Sequence, residues 1–271
     1  MQRLTIAATR QNELLPLLAL TAAALLGTVP FWLSDADVWL AAQFYHPDAA
    51  EVWWEGQRPL WQFCYNVVPF MVSAIVLGSA IIIAASFRWS QLQRPRRLAI
   101  FLLAVTLLGP GLLINGVFKE HWGRPRPHQT IAFGGSEIYQ PPLVFNSSGN
   151  GKSFPSGHSS IGFLVGALFF WWQRERPLLA RLALFISLFA GSLIGMARMA
   201  MGDHFASDVI WSAVMVYSVA WLLSLNPPNP PFFKGGFSSV PFSKRSFSFS
   251  PLWKRGGGGD FFRSKRGAGG I

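Results

Sequence analysis

Three short polar clusters interrupt an otherwise apolar sequence, and their residue types suit the binding and transfer of phosphate. Along the chain the clusters occupy residues 119–127, 155–158 and 198–208. Arginine and lysine side chains carry fixed positive charge and N–H donors that fit phosphate oxygens. Histidine can act as a nucleophile or as a proton carrier. The clusters therefore predict a site for phosphoryl chemistry.

The third cluster contains a histidine and an aspartate four residues apart, His204 and Asp208. If the last helix begins near Gly202, both side chains share one helix face, and the carboxylate can hold one imidazole nitrogen protonated. The other nitrogen is then free to attack. His158, on a different helix, can donate a proton to the leaving oxygen. We therefore predict His204 as nucleophile, Asp208 as its orienting group and His158 as general acid.

The remaining cluster residues are suited to hold an anion. Lys119, Arg126 and Arg198 supply positive charge. Ser156 and Gly157 lie where a helix is predicted to begin, so free backbone N–H groups and the helix dipole favour an anion there. Carboxylates do not cluster in the sequence, and it has a single cysteine. The basic side chains are therefore expected to stabilise the transition state without a metal or cofactor.

Three polar residues beside the clusters have other interpretations. Arg124 either contacts the substrate or anchors its own loop, and the sequence leaves both open. Lys152, in a stretch rich in glycine and serine, is a candidate substrate contact. Asp203 precedes the predicted nucleophile and is expected to cap the last helix.

The composition places these clusters in a membrane protein. Only 13% of the 271 residues are charged and 51% are hydrophobic, whereas a soluble domain carries about a quarter charged residues. The fourth of six apolar runs reaches full length only if its helix begins near Ser156. No small-residue cleavage site follows the first run, so it is expected to be retained. The runs interpreted as membrane spans are 14–33, 67–87, 98–118, 159–172, 178–197 and 209–225.

The third run contains two unusual features. Pro110 lies between two glycines, and because proline lacks an N–H and crowds the preceding turn, a kink or local unwinding is predicted. Asn115 is a polar residue at membrane depth. It is expected to form a hydrogen bond to a neighbouring helix rather than to take part in catalysis.

Loop charges predict the orientation of these spans. Four arginines lie within 88–97 and three within 174–181, whereas the first loop is acidic. Because cytoplasmic loops are enriched in basic residues, both termini are expected in the cytoplasm and all three clusters on the opposite side. The prediction is an all-α, integral-membrane six-helix bundle, in a bacterial inner membrane, with its active site at the extracytoplasmic membrane interface.

The chain is predicted to divide into a membrane domain, residues 1–225, and a disordered basic tail, residues 226–271. Eight Lys/Arg and one Asp between Lys234 and Arg266 account for +7 of the net charge of +11. Because the basicity is local, it does not indicate a nucleic-acid partner. The tail either touches anionic lipid headgroups or is an extension without a role, and its composition favours the second interpretation.

The three clusters together resemble the signature of the type 2 phosphatidic acid phosphatase superfamily, which also includes vanadium-dependent haloperoxidases. One position departs from the family pattern, since Ala197 stands where the family usually has a serine that can contact phosphate. The matching segments are Lys119-x6-Arg126-Pro127, Pro155-Ser156-Gly157-His158 and Arg198-x5-His204-x3-Asp208.

The resemblance implies that His204 attacks phosphorus, that Asp208 orients it, and that His158 protonates the departing group and then activates water. The substrate would be a phosphorylated membrane lipid, with undecaprenyl pyrophosphate, phosphatidylglycerol phosphate, phosphatidate and lipid A as candidates. The alternatives are a lipid phosphotransferase with the same nucleophile, a haloperoxidase and a non-enzymatic lipid-binding protein. The groups expected to hold the phosphoryl oxygens are Lys119, Arg126, Ser156, Gly157 and Arg198.

Overall fold

The structure, a computed structural model, describes residues 2–225, with side chains from residue 14 onward. Within this range every regular element is a helix, which confirms the all-α prediction. The predicted tail, residues 226–271, lies outside the described residues. The helices are α1 (Gln2–Leu26), α2 (Val29–Leu33), α3 (Ala36–Ala42), α4 (Pro59–Ala85), α5 (Gln93–Thr106), α6 (Lys119–His121), α7 (Gly157–Phe163), α8 (Ala167–Trp172), α9 (Pro177–Ala200) and α10 (Ala206–Leu225).

Five stretches of the described chain are long and apolar enough to cross a membrane. They correspond to the first, second, third, fifth and sixth predicted spans. The second starts eight residues earlier than predicted, at Pro59 instead of residue 67, because the polar residues near its start do not interrupt the helix. The five are Leu14–Leu33, Pro59–Ala85, Ser90–His121, Pro177–Ala200 and Ala206–Leu225.

The predicted fourth span, 159–172, is not one of these five stretches. Here α7, a 3₁₀ turn (Leu164–Gly166) and α8 follow one another without a break. At 1.5 Å per residue they extend about 24 Å, short of the roughly 30 Å of a bilayer core. All of α7 except His158 is buried. This short helix is therefore enclosed by its neighbours, whereas the long helices present apolar faces outward.

Small residues let α7 approach α9 closely. A Cβ atom added to Gly162 would lie 2.6 Å from the Cα atom of Gly191, so the two backbones almost touch. The Ser187 hydroxyl also donates to the carbonyl oxygen of Phe163 at 2.7 Å. These contacts fix the position of α7, whose first turn carries Gly157 and His158.

The chain winds as a π-helix between α5 and α6, over Leu107–Phe118, with Pro110 inside it. This change of winding confirms the predicted local unwinding around Pro110. The Asn115 side-chain amide donates to the Pro110 carbonyl oxygen at 2.6 Å. The expected bond from Asn115 to a neighbouring helix is therefore wrong, because the wider winding places residue 115 above the carbonyl five residues earlier.

A buried apolar core joins the π-helix, α5, α7 and α10. Its members include Phe101, Ile114, Phe163 and Val216, each at most 3% exposed. By contrast, only 11% of the most apolar 18-residue segment of α4 is buried inside the protein. Outward-facing apolar side chains at this density suit a lipid environment rather than water.

Candidate active site

The three polar clusters meet at one end of the bundle. The Arg126 guanidinium pairs with Asp203 at 2.9 Å, which joins the first cluster to the third. The backbone N–H of Ser156 donates to the carbonyl oxygen of Asp208 at 3.2 Å, which joins the second to the third. Residues 77 apart in sequence, Arg126 and Asp203, are therefore neighbours in the fold.

The predicted nucleophile and its orienting carboxylate are adjacent. His204 Nδ1 lies 3.6 Å from Asp208 Oδ2, and both side chains are buried. The last helix begins at Ala206 and not near Gly202, so His204 precedes it and the premise of a shared helix face is wrong. The pair forms because Asp208, in the first turn of α10, accepts the N–H of Phe205 at 2.8 Å and so lies against the incoming loop.

Both ring nitrogens of His204 are buried and have no hydrogen-bond partner. Burial lowers the pKa of His204, and Asp208 opposes this effect. The imidazole is therefore neutral at neutral pH, the form in which a ring nitrogen has a lone pair available for attack.

Asp208 is held on several sides. The Ser153 hydroxyl donates to Oδ2 at 2.6 Å, and Arg124 Nη1 donates to Oδ1 at 2.5 Å. The Arg124 side chain is fully buried, and its Nη2 pairs with Asp37 at 2.8 Å. Because its side chain is fully buried and pairs with Asp208, Arg124 is an anchor and not a substrate contact.

Two of the predicted phosphate-binding arginines share one carboxylate. Asp203 Oδ1 pairs with Arg126 Nη1 at 2.9 Å, and Asp203 Oδ2 pairs with Arg198 Nη2 at 2.6 Å. Lys119 lies within electrostatic range of both arginines and of Asp203. The expectation that Asp203 caps the last helix is wrong, because α10 begins three residues later and the arginines occupy both carboxylate oxygens.

Ser156 and Gly157 form the start of α7, as predicted. Ser156 is the N-cap residue, and its hydroxyl accepts the N–H of Ser159 at 3.5 Å. A Cβ atom at Gly157 would lie 2.6 Å from Asn115 Oδ1, so a larger residue here would have to displace the Asn115 side chain. The N–H groups of Gly157 and His158 belong to the first helical turn, which offers them no intrahelical acceptor. A phosphate contact by Ser156 itself stays a prediction, because its hydroxyl and its N–H are already engaged.

His158 stacks on an aromatic ring that the sequence did not single out. The rings of His158 and Tyr65 lie 4.7 Å apart and are inclined by 18°. The guanidinium of Arg198 lies over the same Tyr65 ring at 4.7 Å. Burial, together with the positive charge of Arg198, lowers the pKa of His158 to about 4. Tyr65 belongs to α4 and lies just before the predicted second span, so no pattern in the sequence connected it with the site.

Lys152 does not join the site, and three unpredicted residues do. The Lys152 ammonium pairs with the exposed Glu120 carboxylate at 2.6 Å. Ser153 contacts the orienting carboxylate, and Asp37 accepts both the N–H and the hydroxyl of Ser207. Asp37 and Ser207 are 170 residues apart. At such a separation, no spacing rule in the sequence could have paired them.

Comparisons with known proteins identify relatives of this chain. A sequence profile described as PAP2 superfamily matches residues 97–230, which include all three clusters. The chain is 35% identical over 198 residues to a lipid A 4'-phosphatase of Francisella tularensis subsp. novicida, covering 70% of this chain and 85% of that protein. It is 39% identical over 130 residues to a lipid A 4'-phosphatase of Rhizobium leguminosarum, covering 44% and 52%.

Among solved structures, a transmembrane PAP2-type phosphatidylglycerolphosphate phosphatase from Bacillus subtilis aligns with a TM-score of 0.46 and 21% identity. The alignment covers 79% of this chain and 94% of that one. At this level the likeness adds nothing to the evidence from the sequences. The profile match and the 35% identity across most of the Francisella protein establish the family. This chain belongs to the PAP2 superfamily.

Proposed function

We propose that this protein is a membrane lipid phosphatase that hydrolyses a phosphomonoester through a phosphohistidine formed on His204. The observation that carries the proposal is the buried, unpartnered imidazole of His204, 3.6 Å from the Asp208 carboxylate and within electrostatic range of Arg198 and Lys119. The relatives named lipid A 4'-phosphatase support a phosphorylated lipid as the substrate.

In the first step, the ring nitrogen of His204 away from Asp208, Nε2, attacks phosphorus and the bond from phosphorus to the lipid oxygen breaks. His158 gives its proton to the departing oxygen. Positive charge develops on the imidazole, and the Asp208 carboxylate beside Nδ1 stabilises it. In the second step, neutral His158 takes a proton from water, the hydroxide attacks phosphorus, and the bond to Nε2 breaks to release phosphate.

The proton for the first step depends on the substrate. Because the pKa of His158 is lowered to about 4, its ring is neutral in the free protein at neutral pH. A bound phosphate brings up to two negative charges, which oppose the effect of Arg198 and favour protonation of His158. The acid is therefore formed when the phosphate is bound.

The charges at the site favour a monoester over a diphosphate. Lys119, Arg126 and Arg198 contribute three positive charges, and Asp203 contributes one negative charge between the two arginines. The balance matches a phosphate monoester, which carries about −1.5 to −2 at neutral pH. Among the candidate lipids, the monophosphate groups of lipid A and of phosphatidylglycerol phosphate fit this balance better than undecaprenyl pyrophosphate, and the named relatives favour lipid A.

The proposal also includes the finer topology. The predicted fourth span, 159–172, would make a sixth, shortened crossing between the five long ones, with both termini cytoplasmic and the site on the extracytoplasmic side. The support is the arginine content at the other end of the bundle, in the loops and adjoining helix ends within 88–97 and 174–181.

No metal is needed in this mechanism. Among the residues that the structure describes, no group of three His, Cys, Asp or Glu could hold a metal ion. Three basic side chains take the role of stabilising the phosphoryl oxygens. We therefore expect full activity in EDTA, and loss of activity that Mg²⁺ restores would contradict the mechanism.

The test uses purified protein in detergent with four lipids: lipid A, phosphatidylglycerol phosphate, phosphatidate and undecaprenyl pyrophosphate. We expect release of inorganic phosphate, fastest from a monoester, and complete loss of turnover in His204→Ala. His121→Ala is the matched control, because the His121 side chain is exposed and its ring nitrogen Nδ1 lies 2.8 Å from the backbone carbonyl oxygen of Val117, one turn earlier. Near-wild-type turnover in His204→Ala would disprove the mechanism, and a phosphorylated acceptor in place of free phosphate would identify a transferase.

A further inference from the structure

Three buried charges lie in a row behind the nucleophile. Asp37, Arg124 and Asp208 each have a side chain that is 0% exposed. Arg124 joins the two carboxylates, with Nη2 at 2.8 Å from Asp37 and Nη1 at 2.5 Å from Asp208. The three residues come from α3, from the loop after α6 and from α10, so this row connects parts of the chain that are distant in sequence.

Asp37 also holds the first turn of α10 directly. Its Oδ1 accepts the backbone N–H of Ser207 at 2.9 Å, and its Oδ2 accepts the Ser207 hydroxyl at 2.5 Å. Ser207 immediately precedes Asp208, and its hydroxyl also accepts a hydrogen bond from Arg124 Nη1 at 2.8 Å. The carboxylate that orients His204 is therefore fixed both through its own oxygens and through the residue before it.

The charges of this row do not balance. Two carboxylates share one guanidinium, which leaves one net negative charge among side chains that are fully buried. A buried unbalanced charge is costly, and it strongly favours a positive group nearby. The nearest group that can become positive is His204, whose Nδ1 lies 3.6 Å from Asp208. Without the charge of Asp37, Arg124 alone would neutralise Asp208.

We propose that Asp37 is a positioning residue for phosphoryl transfer, which fixes Asp208 through Arg124 and Ser207 and keeps its negative charge available to the imidazolium that forms on His204. This inference rests on the proposed function for its catalytic consequence. The contacts that carry it are those of the buried row itself.

Other charged groups act on His204 from the surrounding elements, and none of them is altered in the test below. Arg198 and Lys119 disfavour its protonation, and so does protonated His158. Asp203 precedes it in the same loop, paired with the two arginines. The test must therefore change only the buried row.

The test is a titration of His204 by NMR in detergent, with histidine labelled at ¹³Cε1 and the His204 signal identified by its loss in His204→Ala. Asp37→Asn removes one negative charge from the row and is expected to lower the pH midpoint of the His204 titration by about one pH unit. Arg124→Gln adds one net negative charge and is expected to raise the midpoint by about as much. The double variant restores the original net charge, so its midpoint should return close to that of the wild type.

Tyr139→Phe is the matched control. It removes a hydroxyl that donates to Asp37 Oδ2 at 3.2 Å and changes no charge. Its midpoint should equal that of the wild type. The inference would be overturned if both single variants had the wild-type midpoint, or if both midpoints shifted in the same direction. A purely structural role of Asp37 does not predict shifts of opposite sign.

Kinetics test the positioning role separately. Asp37→Asn is expected to lower kcat about 100-fold with little change in KM, because misplacement of the orienting group affects the chemical step and not substrate binding. If either charge variant fails to fold, Ser207→Ala decides, since it keeps all three charges and removes only the bridging hydroxyl. We expect kcat to fall about 10-fold at unchanged KM, and a wild-type kcat would overturn the inference.

The NMR readout needs no substrate, so the two proposals can fail independently. Opposite midpoint shifts in a protein without lipid phosphatase activity would support the charge coupling and contradict the proposed function. Normal lipid phosphatase activity with unshifted midpoints would support the proposed function and contradict the charge coupling.

Discussion

His158 stacks on Tyr65 and has a pKa lowered to about 4, so its ring is neutral at neutral pH in the free protein. Stacking on Tyr65, with the ring centroids 4.7 Å apart, fixes the plane of the His158 ring. Arg198, a predicted phosphate-binding residue, lies over the same tyrosine ring and is therefore held near His158. One side chain of α4 therefore contacts both the proposed proton donor and a proposed phosphate-binding group.

We predict that His158→Ala lowers the rate of lipid hydrolysis by about 10²- to 10⁴-fold, the usual contribution of a positioned general acid. Formation of phosphoenzyme from p-nitrophenyl phosphate should be much less affected, because nitrophenolate leaves without a proton. Single-turnover measurements with both substrates give the comparison. An equal loss with the two substrates would argue against His158 as the acid.

Asp203 sets the charge of the phosphate-binding group by pairing with both arginines. We predict that Asp203→Asn raises kcat/KM for a lipid diphosphate relative to the matching monophosphate by about tenfold, the effect of one charge worth roughly 1.4 kcal/mol. Asp203→Glu retains the charge and should leave the ratio near its original value. A ratio that does not change in Asp203→Asn would mean that the charge balance does not select the monoester.

At the scale of elements, the position of α7 depends on contact between backbones. Gly162 touches Gly191 of α9, and the start of α7 touches the π-helix at Asn115. The proposed nucleophile His204 lies outside this helix and the proposed acid His158 is on it, so the distance between them depends on how closely α7 packs. Crowding at Gly162 should therefore reduce both stability and catalysis.

We predict that Gly162→Ala destabilises the protein by about 1–3 kcal/mol, because its Cβ would lie 2.6 Å from backbone that cannot yield easily. Gly78→Ala is the matched control in α4, where a Cβ has nothing within 4 Å. There alanine should be neutral or stabilising, by up to about 1 kcal/mol. Thermal unfolding in detergent, followed by tryptophan fluorescence, measures the stability of both variants. Equal unfolding temperatures for Gly162→Ala and Gly78→Ala would show that the close contact between α7 and α9 does not determine stability.

At the scale of the bundle, one end carries the polar clusters of the candidate active site, and the other end carries arginines in its loops and adjoining helix ends. All three polar clusters lie at the first end, while the link between α4 and α5 lies at the second. Charge alone predicts which end faces the cytoplasm. Substrates on the two sides of a membrane differ, so this orientation decides which lipids reach His204.

Cysteine labelling in intact cells tests the orientation. In a Cys64→Ser background, which removes the one buried native thiol, we predict that Ser148→Cys reacts with an impermeant thiol reagent. Ser90→Cys, on the link between α4 and α5, should react only after permeabilisation. Both positions are exposed, so access to the reagent is not limited by packing. The opposite pattern would place the active site in the cytoplasm.

Much of this molecule could be predicted from local patterns. Apolar runs predicted five of the long helices because membrane insertion depends on the composition of about 20 consecutive residues. The sequence also predicted that His204 and Asp208 are adjacent, although the loop before α10 brings them together and not a shared helix face. Pro110 between two glycines predicted the altered winding that the structure shows as a π-helix. Each of these properties depends on neighbours within a few turns, which a sequence displays directly.

The residues that support the site could not be found in this way. Arg124 was ambiguous by sequence, and only the packing of α3 against α10 showed that Asp37 and Asp208 enclose it. The burial of α7, the sharing of Asp203 by two arginines and the stacking of Tyr65 on His158 likewise depend on contacts between distant segments. The sequence by itself determined the helices and the reactive groups, because these depend on local composition and spacing. Only the tertiary structure decided which charges are buried together, because burial is a property of the assembled bundle.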